Sequence, residues 1–497
     1  MTTTPYLDIF KALGAEVVLV MAALAALTAD LVWLRKMELV ARTRIVGAIA
    51  ATGLVATCVP LWSQFGHGQQ AFLGGTLVVS ELNTSFSIVI VVLTALIVLV
   101  SMDFDVGRHV GEYYATLLFG AIGMMLLVST EELITIFVAL ELTSISLYIL
   151  TAFHKGALRS QEAAVKYFMF GAISSAFLLF GLSYIYGVTG ETNLRAIAQA
   201  LQAKGAGPLL AVGLLFVIIG FGFKVAVVPF HLWAPDAYEG APTPVTAFIA
   251  TGSKVASFVV FAKVVLLGFP EMVGSAFWGE FRSGWTMLLA ATAAASMILG
   301  NCVAIVQRNV KRLLAYSSIA HAGYIFIGLI ATTRMGATSV LFYIIVYALT
   351  NLGAFGVVAA LASRVGGDDM EHFDWMARRA PLLSLLMLVF VLSLAGIPPL
   401  GGFFGKFYLF AAAVQRDAQH FGLVWLVALG ILMSAVSLYY YLILLKHIYV
   451  MPARDESAIA TPGYLNLTLA VVALAVIALG VFPQPILALL NNLAARL

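Results

Sequence analysis

The sequence is poor in charge. Only 10% of its 497 residues are Asp, Glu, Lys or Arg, where a soluble domain carries about 25%. Hydrophobic residues make up 62% and mean hydropathy is +1.02, so no soluble core could hide the apolar surface and a soluble globular protein is excluded. Cysteine is almost missing: Cys58 and Cys302 lie in apolar runs without metal-ligand spacing, which excludes a disulfide framework. No phosphate-cradling glycine loop, CxxC cluster or nucleophile elbow occurs. No pair of helices repeats histidine as a di-haem site needs, so no redox cofactor is expected on this chain. A net charge of +3 gives no argument for nucleic acid.

What remains is apolar runs. Windows of about 20 residues predict an all-α polytopic membrane protein of fourteen helices. They fall at roughly 14–34, 44–65, 82–102, 113–129, 131–153, 163–188 and 208–239, then 242–268, 284–307, 310–331, 335–364, 381–416, 421–450 and 463–494. Gly14 to Leu34 is too long for a signal-peptide core and reads as a retained first span. No linker or low-complexity tract interrupts the series. Residues 1–497 therefore read as one membrane domain, with parts 1–112, 113–268, 284–450 and 463–494.

The basic residues orient the chain. Loops after odd-numbered spans hold sixteen, Arg454 among them, and the opposite side holds seven, Lys204 among them. The positive-inside bias then places both termini outside the cytoplasm. Four of the 27 remain inside spans: Lys224, Lys254, Lys263 and Lys406. A lysine at mid-membrane costs roughly 2.5–3.5 kcal/mol on insertion scales, so each needs an explanation.

Two spans are too long for one straight crossing, 208–239 and 381–416. The first passes Lys224 into Pro229 and Pro235; the second reads SLAGIPPLGGFFGKFYLF, with Pro398 and Pro399 before Lys406. Proline removes a helix hydrogen bond and frees the carbonyl four residues back, Val225 in the case of Pro229. In a bilayer that is tolerated only where protein or trapped water satisfies the backbone. A buried amine beside a broken helix points to an ion or proton path. Lys224 and Lys406 stand 182 residues apart, Glu141 and His321 180, each pair by five spans. An odd interval reverses direction, so helices 4–8 and 9–13 are expected to form two inverted five-helix repeats, each with a broken helix, as in many transporters. Coincidental spacing of two polar pairs is the alternative.

Each candidate residue has a structural reading beside the functional one. Glu141 is either the counter-charge of Lys224 or a carboxylate satisfied by Thr143 or Ser144. A pair that opens and closes makes a proton switch, since pairing favours both charged forms and desolvation disfavours them. Lys254, one helix on, suits a relay because burial moves a lysine toward neutrality, which arginine resists. Lys263, nearer the outer end of its helix, is expected to snorkel to the interface. His321 is a relay group titrating near neutrality or a satisfied core histidine. His231 lines the break or bonds a backbone carbonyl. Asp30, Glu131, Glu132, Asp236 and Glu239 fall near span ends, where hydration or loop pairing suffices for most.

The runs KYFMFGAISSAFLLFGLSYIYGVTGETNL (Lys166 to Leu194) and GFKVAVVPFHLWAPDAYEGAPTPVTAFIATGSK (Gly222 to Lys254) carry a resemblance. The chain resembles the antiporter-like membrane subunits of respiratory complex I, and among them the subunit N type, over nearly its whole length. The resemblance implies a proton-pumping module of NADH:quinone oxidoreductase in a bacterial inner membrane. Its NADH, FMN, iron–sulfur and quinone chemistry lies on other subunits. The implied partners are a neighbouring antiporter-like subunit and small membrane subunits. The implied relay is Glu141 and Lys224 as switch, Lys254 as link, His321 further along, and Lys406 at the exit. The subunit M type is expected to carry a glutamate in place of Lys406, and the subunit L type a long C-terminal extension. Cation/proton antiporter and membrane-bound hydrogenase subunits share the Glu–Lys–Lys pattern and form the alternative.

Overall fold

The computed structural model describes residues 6–417, 419–453 and 455–497; Arg454 lies outside them, as does the side chain of Lys204. Thirteen helices among the described residues are long and apolar enough to cross a membrane. Pro381–Ala395 and Gly401–Arg416 are too short singly and together supply a fourteenth crossing. The seventh span ends its first half at Val225 and resumes at Trp233–Gly240. The eighth, Thr243–Gly268, widens into π-turns at Ile249–Ser253 and Val264–Gly268.

Two compact units emerge. The first runs to Lys224 and adds Gly252–Val273 and Arg496–Leu497; the second holds Val225–Thr251 and Gly274–Ala495. Close packing within the first unit depends on small residues. A Cβ added at Gly53 would lie 2.2 Å from Ala22 Cβ of the first span, the close helix approach that membrane interiors favour. Asp30, which opens the last turn of the first span (Gly14–Leu34), is fully buried, where water or loop pairing was expected. It accepts from the Arg42 guanidinium through both oxygens and from Gly111 N–H at 2.8 Å. Isolated at this depth, the carboxylate would lose several kcal/mol of hydration, which the guanidinium offsets.

Three features were not anticipated. A hairpin pairs β1 (Gln70–Phe72) with β2 (Leu77–Val79), with Ala71 opposite Val78. Its apolar side packs with Ala12. The helix Leu194–Lys204 is capped by Asn193 and turns Leu194, Ile197 and Leu201 inward. Third, the last span is not one helix over 463–494. It stops at Val481, and Gln484–Ala494 forms a separate helix after Pro483, which cannot donate back into the preceding turn. Arg334 Nε donates to Asn491 O at 3.0 Å and holds that helix to the eleventh span.

In the second unit the tenth span, Val310–Ile330, and the eleventh, Arg334–Val365, are almost wholly buried. Polar residues break this interior in bonded groups. At the start of the tenth span Arg312 Nη1 donates to Asp236 at 2.6 Å and Glu239 at 3.0 Å, clasping the second half of the broken seventh span. These acids are paired, but between two helices rather than within a loop.

Candidate functional site

In the first unit the fifth span, Leu133–Thr151, presents Glu141, Ser144 and Tyr148 at intervals of three and four, which places them along one helix face. Lys224 stands in the last turn of the first half of the seventh span, 8% exposed. Its Nζ donates to Ser144 Oγ and lies 5.9 Å from the centre of the Tyr148 ring and 5.2 Å from that of Phe223. Ser144 in turn donates to Leu140 O. The Glu141 carboxylate accepts from Ser175 Oγ of the sixth span. Among the described residues no ion pair joins Glu141 to Lys224 directly, so the two charges are held apart on separate hydroxyls. Thr143, considered as a partner for the carboxylate, donates to Ala139 O instead. Ser175 was not foreseen; the serine pair in GAISSAF was its only trace.

Tyr148 reaches this cluster because position 171 has no side chain. A Cβ there would sit 1.8 Å from the Tyr148 hydroxyl oxygen. Lys254 follows the π-turn Ile249–Ser253 directly and is 2% exposed; such bulges recur at functional positions. Lys263 does not snorkel. It is 1% exposed, donating to Asn83 Oδ1 at 2.6 Å and Val128 O at 2.5 Å. Val128 ends the fourth span, so its carbonyl lacks a helical donor, and that acceptor lies inside the protein rather than at the interface.

In the second unit His321 is buried with both ring nitrogens facing tyrosine hydroxyls, Tyr343 at 2.5 Å and Tyr441 at 3.3 Å. Ser317 lies 2.5 Å from the Tyr441 hydroxyl. Nearby, Asn301 accepts from Tyr440 at 3.0 Å and donates to Tyr324 at 3.1 Å. His231 lies in the break of the seventh span, buried, and Val228 N–H donates to Ser296 Oγ beside it.

Lys406 shows what the twelfth-span break is built around. Pro398 and Pro399 cannot donate to Leu394 O and Ala395 O, four residues earlier. Lys406 Nζ donates to those two carbonyls, at 2.9 and 3.2 Å, and to Ser434 Oγ at 2.8 Å. Gly396 makes the turn at φ +86, and a Cβ there would press on the lysine stem at 3.2 Å. The amine therefore replaces the donors that proline removed. Among the described residues no three His, Cys, Asp or Glu side chains gather as metal ligands would.

Buried amines on hydroxyls and freed carbonyls, in a chain of fourteen crossings, define an antiporter-like ion-translocating membrane subunit. The family described as NADH:quinone oxidoreductase/Mrp antiporter, TM, matches residues 130–435. NADH-quinone oxidoreductase subunit N 2 of Acidobacterium capsulatum is 44% identical over 494 residues, covering 97% of this chain and 99% of that one. A chain of respiratory complex I from Thermus thermophilus is 33% identical with TM-score 0.75, over 95% of this chain and 98% of its own. A chain of the Mrp complex from Dietzia sp. DQ12-45-1b has TM-score 0.82 at 21% identity, covering 100% and 98%, and shares the fold. This chain belongs to the NADH:quinone oxidoreductase/Mrp antiporter family and, within it, to subunit N of NADH-quinone oxidoreductase, a proton-pumping component of complex I.

Proposed function

We propose that protons cross this subunit by way of Glu141, Lys224, Lys254, His321 and Lys406, taken up from the cytoplasm and released outside. Quinone reduction elsewhere in the complex supplies the energy through neighbouring membrane subunits, a second antiporter-like subunit and small ones among them. NADH, FMN, iron–sulfur clusters and quinone belong to those other chains. The membrane is the bacterial inner membrane, with both termini outside, and spans 4–8 and 9–13 act as inverted halves of one membrane domain. The breaks at Pro229 and at Pro398 and Pro399 admit the water that links side chains too far apart to exchange protons directly.

The observation that carries this reading is the separation of Glu141 and Lys224 on different hydroxyls of one cluster, the lysine buried and the acid half-buried. At an effective dielectric of 20, unit charges attract by about 4 kcal/mol at 4 Å and about 1.7 at 10 Å. Opening such a pair withdraws roughly 2 kcal/mol from the charged lysine, more than a tenfold change in its hold on the proton. Closing restores it, so a movement of a few ångströms, driven from a neighbouring subunit, loads and unloads the amine.

The test is the proton-to-electron ratio of membranes carrying Glu141→Gln or Lys224→Ala. Pumping and coupled quinone reduction are expected to fall together; a full ratio in Lys224→Ala removes this lysine from the path. Sodium-driven proton movement by the isolated chain in liposomes would instead support the cation/proton antiporter alternative.

A further inference from the structure

Lys263 is a fourth amine buried within a span, and the relay above does not use it. Ammonium has three donors. Lys406 fills all three, on two carbonyls and a hydroxyl. Lys263 has two acceptors among the described residues, Asn83 Oδ1 and Val128 O. Asn83 is fixed in that orientation because its Nδ2 donates to Val78 O of β2 at 2.6 Å. Two acceptors match the two hydrogens of the neutral amine and leave one proton of the ammonium for transfer. A lysine that served only to cap the fourth span would need one carbonyl and no asparagine.

Glu131 follows the Val128 carbonyl by three residues. It is 7% exposed at its side chain and is paired at 2.9 Å with Arg195, which is 46% exposed. Its backbone is clamped on both sides, by Glu131 N–H to Gly75 O and Leu194 N–H to Glu131 O. The acid's backbone is therefore held in place within electrostatic reach of the buried amine, and its partner guanidinium is half exposed. Of the other acids at the span ends of this unit, Glu16 is buried in the first turn of the first span, and the rest nearby are engaged or exposed. Glu81 pairs with Arg496 at 2.6 Å, Glu132 accepts from Thr135 and Ile134, and Glu271 is exposed on the turn after the eighth span.

We propose that Lys263 is a further proton-carrying residue of this subunit, a release site near the end of the eighth span gated by the Glu131–Arg195 ion pair. It rests on the outward direction of pumping proposed above. When Arg195 swings away, the Lys263 ammonium gives its third proton to Glu131, directly or across one water. The amine stays neutral on Asn83 and Val128, and Glu131 becomes a carboxylic acid. Return of the guanidinium expels that proton to outside water and restores the ion pair. Lys263 is then recharged from within the membrane.

The experiment uses vesicles containing the intact complex with Lys263→Met or Arg195→Gln. Lys263→Met is expected to lower the proton-to-electron ratio. Arg195→Gln, at an exposed site, is expected to move half-maximal pumping to more alkaline outer pH, because no guanidinium helps expel the proton. An Arg195→Gln profile superimposable on the parent overturns the proposal, whether or not Lys263→Met assembles, and so does a full ratio in an assembled Lys263→Met. Lys224→Ala in the same vesicles separates the two ideas. Full pumping there counts against the central relay, while Lys263 and Arg195 report on release alone.

Discussion

Lys406 has two tasks that substitution can separate: completing the hydrogen bonds of a broken helix and carrying a proton. Lys406→Met keeps most of the stem but strips the donors from Leu394 O, Ala395 O and Ser434 Oγ. Each buried acceptor left unmatched costs about 1–3 kcal/mol. Ser434 Oγ already donates to Ala395 O at 3.3 Å, so among the described residues Leu394 O is the carbonyl that loses its donor, a loss of roughly 1–3 kcal/mol. Removing a buried charge returns part of this, so a net destabilisation of about 1–2 kcal/mol is expected. Lys406→Gln, one bond shorter, carries two N–H donors and no transferable proton. It is expected to recover about half of the stability and none of the pumping. The assays are the thermal midpoint of the purified complex and the proton-to-electron ratio of reconstituted vesicles. A Lys406→Gln complex that pumps at the full ratio would refute the proton role. A Lys406→Met complex as heat-stable as the parent would refute the account of the break.

Gly171→Ala places a methyl group 1.8 Å from the Tyr148 hydroxyl oxygen. The ring must leave Lys224, at a packing cost of about 1–3 kcal/mol, and a fall in pumping with retained assembly is the expected readout. Asp30→Asn leaves the Arg42 side chain, 12% exposed, without its carboxylate. Breaking one partner of a buried pair costs about 3–5 kcal/mol, and an unchanged thermal midpoint would contradict the burial described here. Glu132 caps the fifth span. Burial pushes its carboxyl up, but the Thr135 hydroxyl and amide and the Ile134 amide outweigh this and hold it below the ordinary 4.5. Its contribution is therefore present above about pH 4.5 and lost as pH falls through the lower folded value. Glu132→Ala should cost about 1 kcal/mol at neutral pH, with the two stability curves converging in acid.

The sequence by itself determined the number of crossings, the two long broken spans and the identity of the interrupted amines. These are local properties: an apolar run measures the bilayer, and proline removes its own donor whatever surrounds it. The resemblance carried by residues 166–254 pointed to the family by the same local route. Tertiary structure decided which atoms meet. Ser175 reaches Glu141 from another span, and Asn83 receives Lys263 across 180 residues of chain. Asp30 turns inward because Arg42 and Gly111 offer three donors there. Lys263 was expected at the interface because snorkelling is the default for an amine near a helix end, and the competing acceptors belonged to distant segments. Hydrogen-bond partners separated by whole spans leave no periodicity in sequence, so only the packed helices could show that the amines are held inside the protein and on what.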